Sequence, residues 1–363
     1  MRFASIDILR TVAIFVMVFV HFGENLSGFT PRMAGFGAPL FVFLSGASYF
    51  LWSDGRLARG ASEEEVAKVS VRRGLFVFGA GFVFNLFVWL PEGIFNWDVL
   101  TFIGAALLFL NVVRGMPGPI RVLVAAMAVL VAPVLRGMAG YATYWENGYF
   151  ECDLTLSDVL VGFLSTGYFP IFPWIAFSVA GYVTAAWLFA RPVPGVDRAA
   201  DPWGPARIGL ALVAASVALH VVRPYLPAPI ASVMLGGWTM FPPTTEYVLG
   251  TLGMAMTLLS VGHRFVDLNP ASRRFAGALG VARTFSSYSL TIYVVHHVVH
   301  VWPLWAYGLA QAGEPTEYWG KAMPVWSSMA LAMAFLFACW VALRLLGPGR
   351  SWGLERCMRW LCD

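Results

Sequence analysis

The stretch SIDILRTVAIFVMVFVHFGEN, Ser5–Asn25, decides the fold. Its middle is an apolar run that, as helix, reaches well into a bilayer. Yet Asp7 and Arg10 stand at one end and His21 at the other. Ionisable groups in hydrocarbon cost free energy, which makes them functional suspects. Arg10 and His21 are eleven residues apart. At 100° per residue they fall about 20° from one another around a helix, about 16 Å apart along its axis. One helix face thus carries a cation near one membrane boundary and an imidazole in the opposite half. Asp7 and Arg10, three apart, can pair.

The rest of the chain repeats this pattern of apolar runs. Of 363 residues 59% are hydrophobic and only 12% charged, where soluble domains carry about 25% charged residues. The mean hydropathy is +0.70. So few charges cannot cover a soluble surface, so the sequence predicts an integral membrane protein in a lipid bilayer, with no nucleic-acid partner. Runs of spanning length lie at Ile8–Phe22, Ala34–Trp52, Gly74–Leu90, Val99–Val113 and Val122–Leu135. Five more follow at Tyr168–Phe189, Ile208–Val222, Tyr247–Val261, Phe285–Val301 and Val325–Leu345. The expected fold class is therefore all-α: a polytopic helical bundle of about ten transmembrane helices. Leu154–Leu164 is too short to span, and Pro227–Phe241 is broken by Pro and Gly. The first run lacks a small-x-small cleavage site and reads as a mature helix rather than a signal peptide.

Charge supports this count. With the N-terminus in the cytoplasm, twenty of the 24 Lys and Arg fall on inner segments; only Arg32, Arg136, Arg223 and Lys321 fall outside. A miscounted helix would scramble that bias. Both termini are expected in the cytoplasm. Residues 1–346 read as one membrane domain and 347–363 as a short basic tail. Four scattered cysteines, with no CxxC or Cys/His spacing, suggest neither a disulfide framework nor a metal site. No metal is expected.

Other helices repeat the arrangement of the first. Asn85 follows Arg72 by thirteen residues, and His296 follows Arg283 by thirteen, about 20 Å of helical rise each. A basic ring of Arg10, Arg72, Arg73 and Arg283 would lie below a polar layer of His21, Asn85, His296 and His297, with Tyr168 and Trp174 at that outer level. Each member has a plainer reading. His297 and His300 suit an interfacial belt beside Trp302 and Trp305, Asn85 suits interhelical bonding, and the arginines suit topology signals. The joint pattern favours a site.

Several segments resemble one family. The opening RFASIDILRTVAIFVMVFVHF, with its R-x10-H spacing, is similar to the first helix of the transmembrane acyltransferase superfamily. That superfamily includes heparan-α-glucosaminide N-acetyltransferase-like proteins and bacterial integral-membrane sugar acyltransferases. APLFVFLSGASYFLW (Ala38–Trp52) and WDVLTFIGAALLFL (Trp97–Leu110) resemble its next motifs. GYFPIFPWIAFSVAGY (Gly167–Tyr182) resembles the Pro-Trp motif of the heparan branch, and SYSLTIYVVHHVV (Ser287–Val299) a late motif ending at His296.

The resemblance implies transfer of an acyl group, usually acetyl, from cytosolic acyl-CoA to a carbohydrate hydroxyl or amine on the far side. It implies His21 as general base, with His296 or Asn85 donating to the thioester oxygen. The four arginines would take the phosphates of coenzyme A, a chemistry that suits guanidinium. Trp174 and Tyr168 would stack the acceptor sugar, and Glu24 would share in binding it. Direct transfer is favoured over an acyl-histidine intermediate. Short loops point to a bacterial inner membrane. The competing classes are a secondary transporter and a non-catalytic membrane protein. Against the transporter, no Asp or Glu falls within the core of an expected span.

Overall fold

The computed structural model describes residues 2–89, 91–191, 201–346 and 352–363. Leu90, which ends the third expected span, lies outside them. So do Arg198 and Arg350 of the charge count and residues 347–351 of the expected tail.

The protein is all-α. Its helices are α1 (Ala4–Ser27), α2 (Ala34–Leu57), α3 (Glu63–Val88), α4 (Val99–Val113) and α5 (Gly118–Ala139). After a short β-hairpin (Trp145–Glu146 with Tyr149–Phe150) come α6 (Leu156–Val161), α7 (Ile171–Phe189), α8 (Gly204–Val222) and α9 (Thr245–Gly262). The chain closes with α10 (Ala276–Ser287), α11 (Ser289–Ala312), α12 (Val325–Leu345) and α13 (Leu354–Cys362). Among the described residues eight helices are long and apolar enough to cross a membrane: α1 to α5, α7, α8 and α12. The two other expected spans fall on α9, which carries Glu246 in its first turn, and on α10–α11, which carry three histidines.

That ninth-in-order span differs from the sequence reading. Phe285–Val301 is not one helix. It breaks at Tyr288, whose φ and ψ of −122° and 27° leave the helical region. A new helix starts at Ser289 and runs eleven residues beyond Val301, to Ala312. The cause lies in α13. The Glu355 carboxylate accepts from the Leu290 and Thr291 amides at 2.7 and 3.1 Å and from the Thr291 hydroxyl at 2.5 Å. A carboxylate satisfying the free N–H groups of a helix start also complements its dipole.

Local signals set the other ends. Ser62 and Glu65 form a capping box on α3. Asp98 caps α4, accepting from Leu100 N at 2.7 Å. At the end of α1, Gly28 takes the left-handed conformation (φ 64°), and its N–H returns to the Glu24 carbonyl.

Helices in lipid gain little from the hydrophobic effect on meeting each other, so close van der Waals packing holds them. The α2–α7 pair illustrates this. A Cβ on Gly46 would collide with the Ser178 carbonyl, and one on Gly181 with the Phe43 carbonyl. The two backbones touch because both positions lack a side chain. Helix α1 packs against α2, α10, α11 and α12. The two described chain ends lie at the same end of the bundle. There Arg2 binds the Arg283 carbonyl and Ser287, Ser5 binds Asp267, and Asp363 on the expected tail binds Arg73.

Candidate active site

The chain has six histidines, and four of them meet between α1 and α11. His21 Nδ1 lies 2.8 Å from His296 Nε2, with the two rings stacked at 5.1 Å. The His297 ring is 4.5 Å from His21 and 3.9 Å from His296, centroid to centroid. His300 lies one turn further along α11, where its Nε2 is 2.8 Å from Asn25 Nδ2. His296, His297 and His300 are buried, while His21 retains some exposure.

Backbone carbonyls fix the tautomers. His296, His297 and His300 each place Nδ1 against the carbonyl four residues earlier: Ile292 at 3.0 Å, Tyr293 at 3.0 Å and His296 at 2.6 Å. A carbonyl only accepts, so each Nδ1 carries the proton and each Nε2 a lone pair. His300 spends that lone pair on the Asn25 amide. His296 spends it on His21, whose Nδ1 must then be the donor. The remaining nitrogen of His21, Nε2, is left with a lone pair.

Aromatic rings and one buried acid frame the cluster. Phe84 and Trp89 of α3 stand edge-on to His297 at 5.0 and 5.3 Å. Phe22 and Phe335 pack beside His300 and His296. The Tyr293 hydroxyl donates to Asp98 at 2.5 Å, and both residues are buried. Sequence reasoning missed Asp98 because it directly precedes an expected span. Glu246, fully buried at the start of α9, escaped for the same reason. The available signal was their position at helix starts, where carboxylates cap free N–H groups.

The other expected residues are distributed as follows. Arg10 is half-buried, and its guanidinium donates to the Ser48 hydroxyl and, at 3.1 Å, to the Ser286 hydroxyl. It faces α2 and α10, so both Arg10 and His21 turn to the α10–α11 side of α1, as their spacing predicts. Asp7 does not pair with Arg10. It binds Arg2 through both oxygens, at 2.6 and 2.9 Å, because the N-terminal residues fold back over the start of α1. The basic ring does not assemble. Arg73 is engaged by both Asp363 oxygens, at 2.9 and 2.6 Å, and lies over the Trp52 ring. Arg72 and Arg283 are exposed on their helices.

Asn85 is fully buried, but its amide donates to the Ile94 carbonyl at 3.1 Å. That turns its donor to the loop before α4 instead of toward a thioester. Trp174 is wholly buried against Phe102, Phe169 and Phe177, so its ring faces are packed and cannot stack a sugar. Tyr168 is half-buried and joins Trp145 and Phe241 at 5.0 and 5.5 Å. Trp145 and Phe241 were not read as site residues, since loop aromatics carry no periodic signal. Glu24 is half-buried one turn beyond His21. In the first turn of α6, hydrogen bonds from Thr155 and Tyr144 hold the Asp158 carboxyl below the usual range.

At the bundle end holding the described chain termini, a cleft of about 260 Å³ opens between α2, α3, α4 and α7. Ser53, Asn111, Arg114 and Tyr182 line it, and Arg121 lies over the Tyr182 ring at 5.1 Å.

Four imidazoles gathered between two helices of a polytopic all-α bundle define a class, the helical membrane proteins with a buried histidine cluster. The family is narrower. Residues 2–213 match the catalytic region of heparan-alpha-glucosaminide N-acetyltransferase, and the chain belongs to that family, one of membrane acetyltransferases acting on sugars. The match covers α1 to about the middle of α8 and includes Arg10 and His21; α11 lies beyond it. Among curated proteins, none matches the chain.

Proposed function

We propose that the protein transfers an acyl group, acetyl by family, from cytosolic acyl-CoA to a carbohydrate hydroxyl or amine outside the cytoplasm. His21 acts as general base. The observation carrying this reading is the hydrogen-bond relay Ile292 C=O, His296, His21, which leaves an oriented lone pair on His21 Nε2. An alcohol or amine becomes nucleophilic as a base takes its proton, and imidazole suits that task.

The step balances simply. The acceptor heteroatom attacks the thioester carbonyl while its proton passes to His21 Nε2. The tetrahedral intermediate collapses, the C–S bond breaks, and the departing thiolate takes that proton from His21. No acyl-histidine is required. His296 is a positioning residue: it accepts from His21 Nδ1 and stabilises the imidazolium that forms briefly.

The distribution of basic residues supports a cytoplasmic location for the end holding both described termini. The donor then enters from that end. Arg10 and the cleft beside Arg114, Arg121 and Tyr182 supply cations and an aromatic face suited to a nucleotide carrying phosphates. The acceptor approaches from the opposite end, past Tyr168, Trp145 and Phe241, with Glu24 near the base. The host membrane we assign is a bacterial inner membrane.

The test is His21→Ala. Purified variant is assayed with acetyl-CoA and a panel of sugars. It keeps the wild-type melting profile and acetyl-CoA-induced stabilisation while turnover falls about 10²–10⁴-fold. Unchanged turnover removes His21 as base. Stabilisation of wild-type protein by sugars or monovalent ions but not by acetyl-CoA would favour a transporter.

A further inference from the structure

We propose that His21, His296 and His297 form a binding site for a divalent transition-metal ion such as Zn²⁺ or Co²⁺. One ligand atom from each ring lies within 4.8 Å of the other two. His296 and His297 are prepared for this role in a specific way. Each commits its Nδ1–H to a backbone carbonyl, at 3.0 Å in both cases. That is the outer-shell arrangement which fixes a metal-binding imidazole and raises its basicity. Both therefore present Nε2 lone pairs from adjacent positions on α11.

His21 supplies the third nitrogen. Its Nδ1 donates to His296 Nε2 in the metal-free protein. On metal binding the proton moves from Nδ1 to Nε2 of the same ring, and Nδ1 becomes a ligand. No proton leaves the protein, and the hexa-aqua ion gives up five of its six waters, keeping one. Three neutral nitrogens suit Zn²⁺ and Co²⁺, with a fourth position left for water or hydroxide. The linear sequence does not signal the site, because His21 and His296 are 275 residues apart.

With the ion on Nδ1, the tautomer shift leaves His21 Nε2 carrying a proton and without a free lone pair. Binding and acyl transfer would then exclude one another, a consequence that rests on the general-base reading; the binding itself does not.

The experiment uses the full chain in detergent, purified with a tag free of histidine, stripped with chelator and dialysed against Co²⁺ at micromolar free ion. The expected result is one retained ion per chain, with the intense visible bands of four-coordinate Co²⁺ bleached by Zn²⁺. His297→Asn and His21→Asn should each weaken retention by at least about tenfold, the scale that even an outer-shell partner commands. His220→Ala, at an exposed position on α8, should leave it unchanged. No retained ion, weak six-coordinate bands, or retention indifferent to both cluster variants would overturn the proposal. The spectrum of wild-type protein decides the matter even if a variant fails to fold. Turnover is measured separately on metal-free protein, so loss of the transfer reading and loss of the metal site are told apart.

Discussion

His21 and His296 share one proton across a 2.8 Å contact between Nδ1 and Nε2. Since His296 has already given its other nitrogen to the Ile292 carbonyl, it can only accept. The state of one ring dictates the state of the other.

Replacing His296 by Phe removes the acceptor and lets His21 flip or change tautomer. We expect turnover to fall about 10²-fold with little change in KM for acetyl-CoA. His296→Gln, whose carbonyl can still accept from His21, should recover part of that loss. Steady-state kinetics on both variants, compared with His21→Ala, checks the order.

Arg10 reaches Ser48 and Ser286 at once through its planar fork. Lysine keeps the charge but not the fork. Arg10→Lys is expected to raise KM for acetyl-CoA about tenfold, equivalent to about 1.4 kcal/mol, with kcat nearly unchanged. A fall in kcat alone would place Arg10 at the reacting atoms instead.

A side chain at position 46 has nowhere to go, because the Ser178 carbonyl lies against the Gly46 Cα. Gly46→Leu should destabilise the α2–α7 pair by roughly 1–3 kcal/mol or more. Thermal unfolding in detergent reads this directly, and His21→Ala serves as the control that leaves the pair intact.

Glu355→Gln keeps the shape of the cap on α11 but removes its charge. A loss of about 1 kcal/mol is expected. It would appear as faster hydrogen exchange at the amides of Leu290 and Thr291, with exchange in α2 unaffected.

Sidedness is tested by labelling. In a cysteine-free background, Cys at position 32 should react with an impermeant maleimide in intact cells. Cys at position 59 should react only after permeabilisation. Both native residues are exposed arginines. The reverse result would exchange the donor and acceptor faces.

Much of the architecture could be read from the chain, because apolar length and loop charge are local properties. Ten apolar runs fall on ten helices or helix pairs, and the Arg10–His21 spacing correctly puts both on one face. His296 and His297 were placed at one level with His21, and their rings do lie together. Lateral partners were not legible. Arg73 looked free for phosphate until Asp363, 290 residues later, took it. The break at Tyr288 is fixed by Glu355, 65 residues from Leu290. Trp174 sits in a motif that suggests a sugar platform, yet neighbouring rings enclose it. The helix-capping role of Asp98 hid a buried carboxylate, bonded to Tyr293, beside the imidazoles.

The attachment of α13 to the start of α11 has a mechanical meaning. Ser289 and His296 are seven residues apart on one continuous helix, about 10 Å of rise, so the pitch of the imidazoles is set from a datum at the end of the bundle where Glu355 sits. Anything that levers Glu355 away would let α11 slide or unwind by a residue and carry its rings off the axis of His21. The histidine cluster is in this way held in place from the end of the bundle where α13 docks.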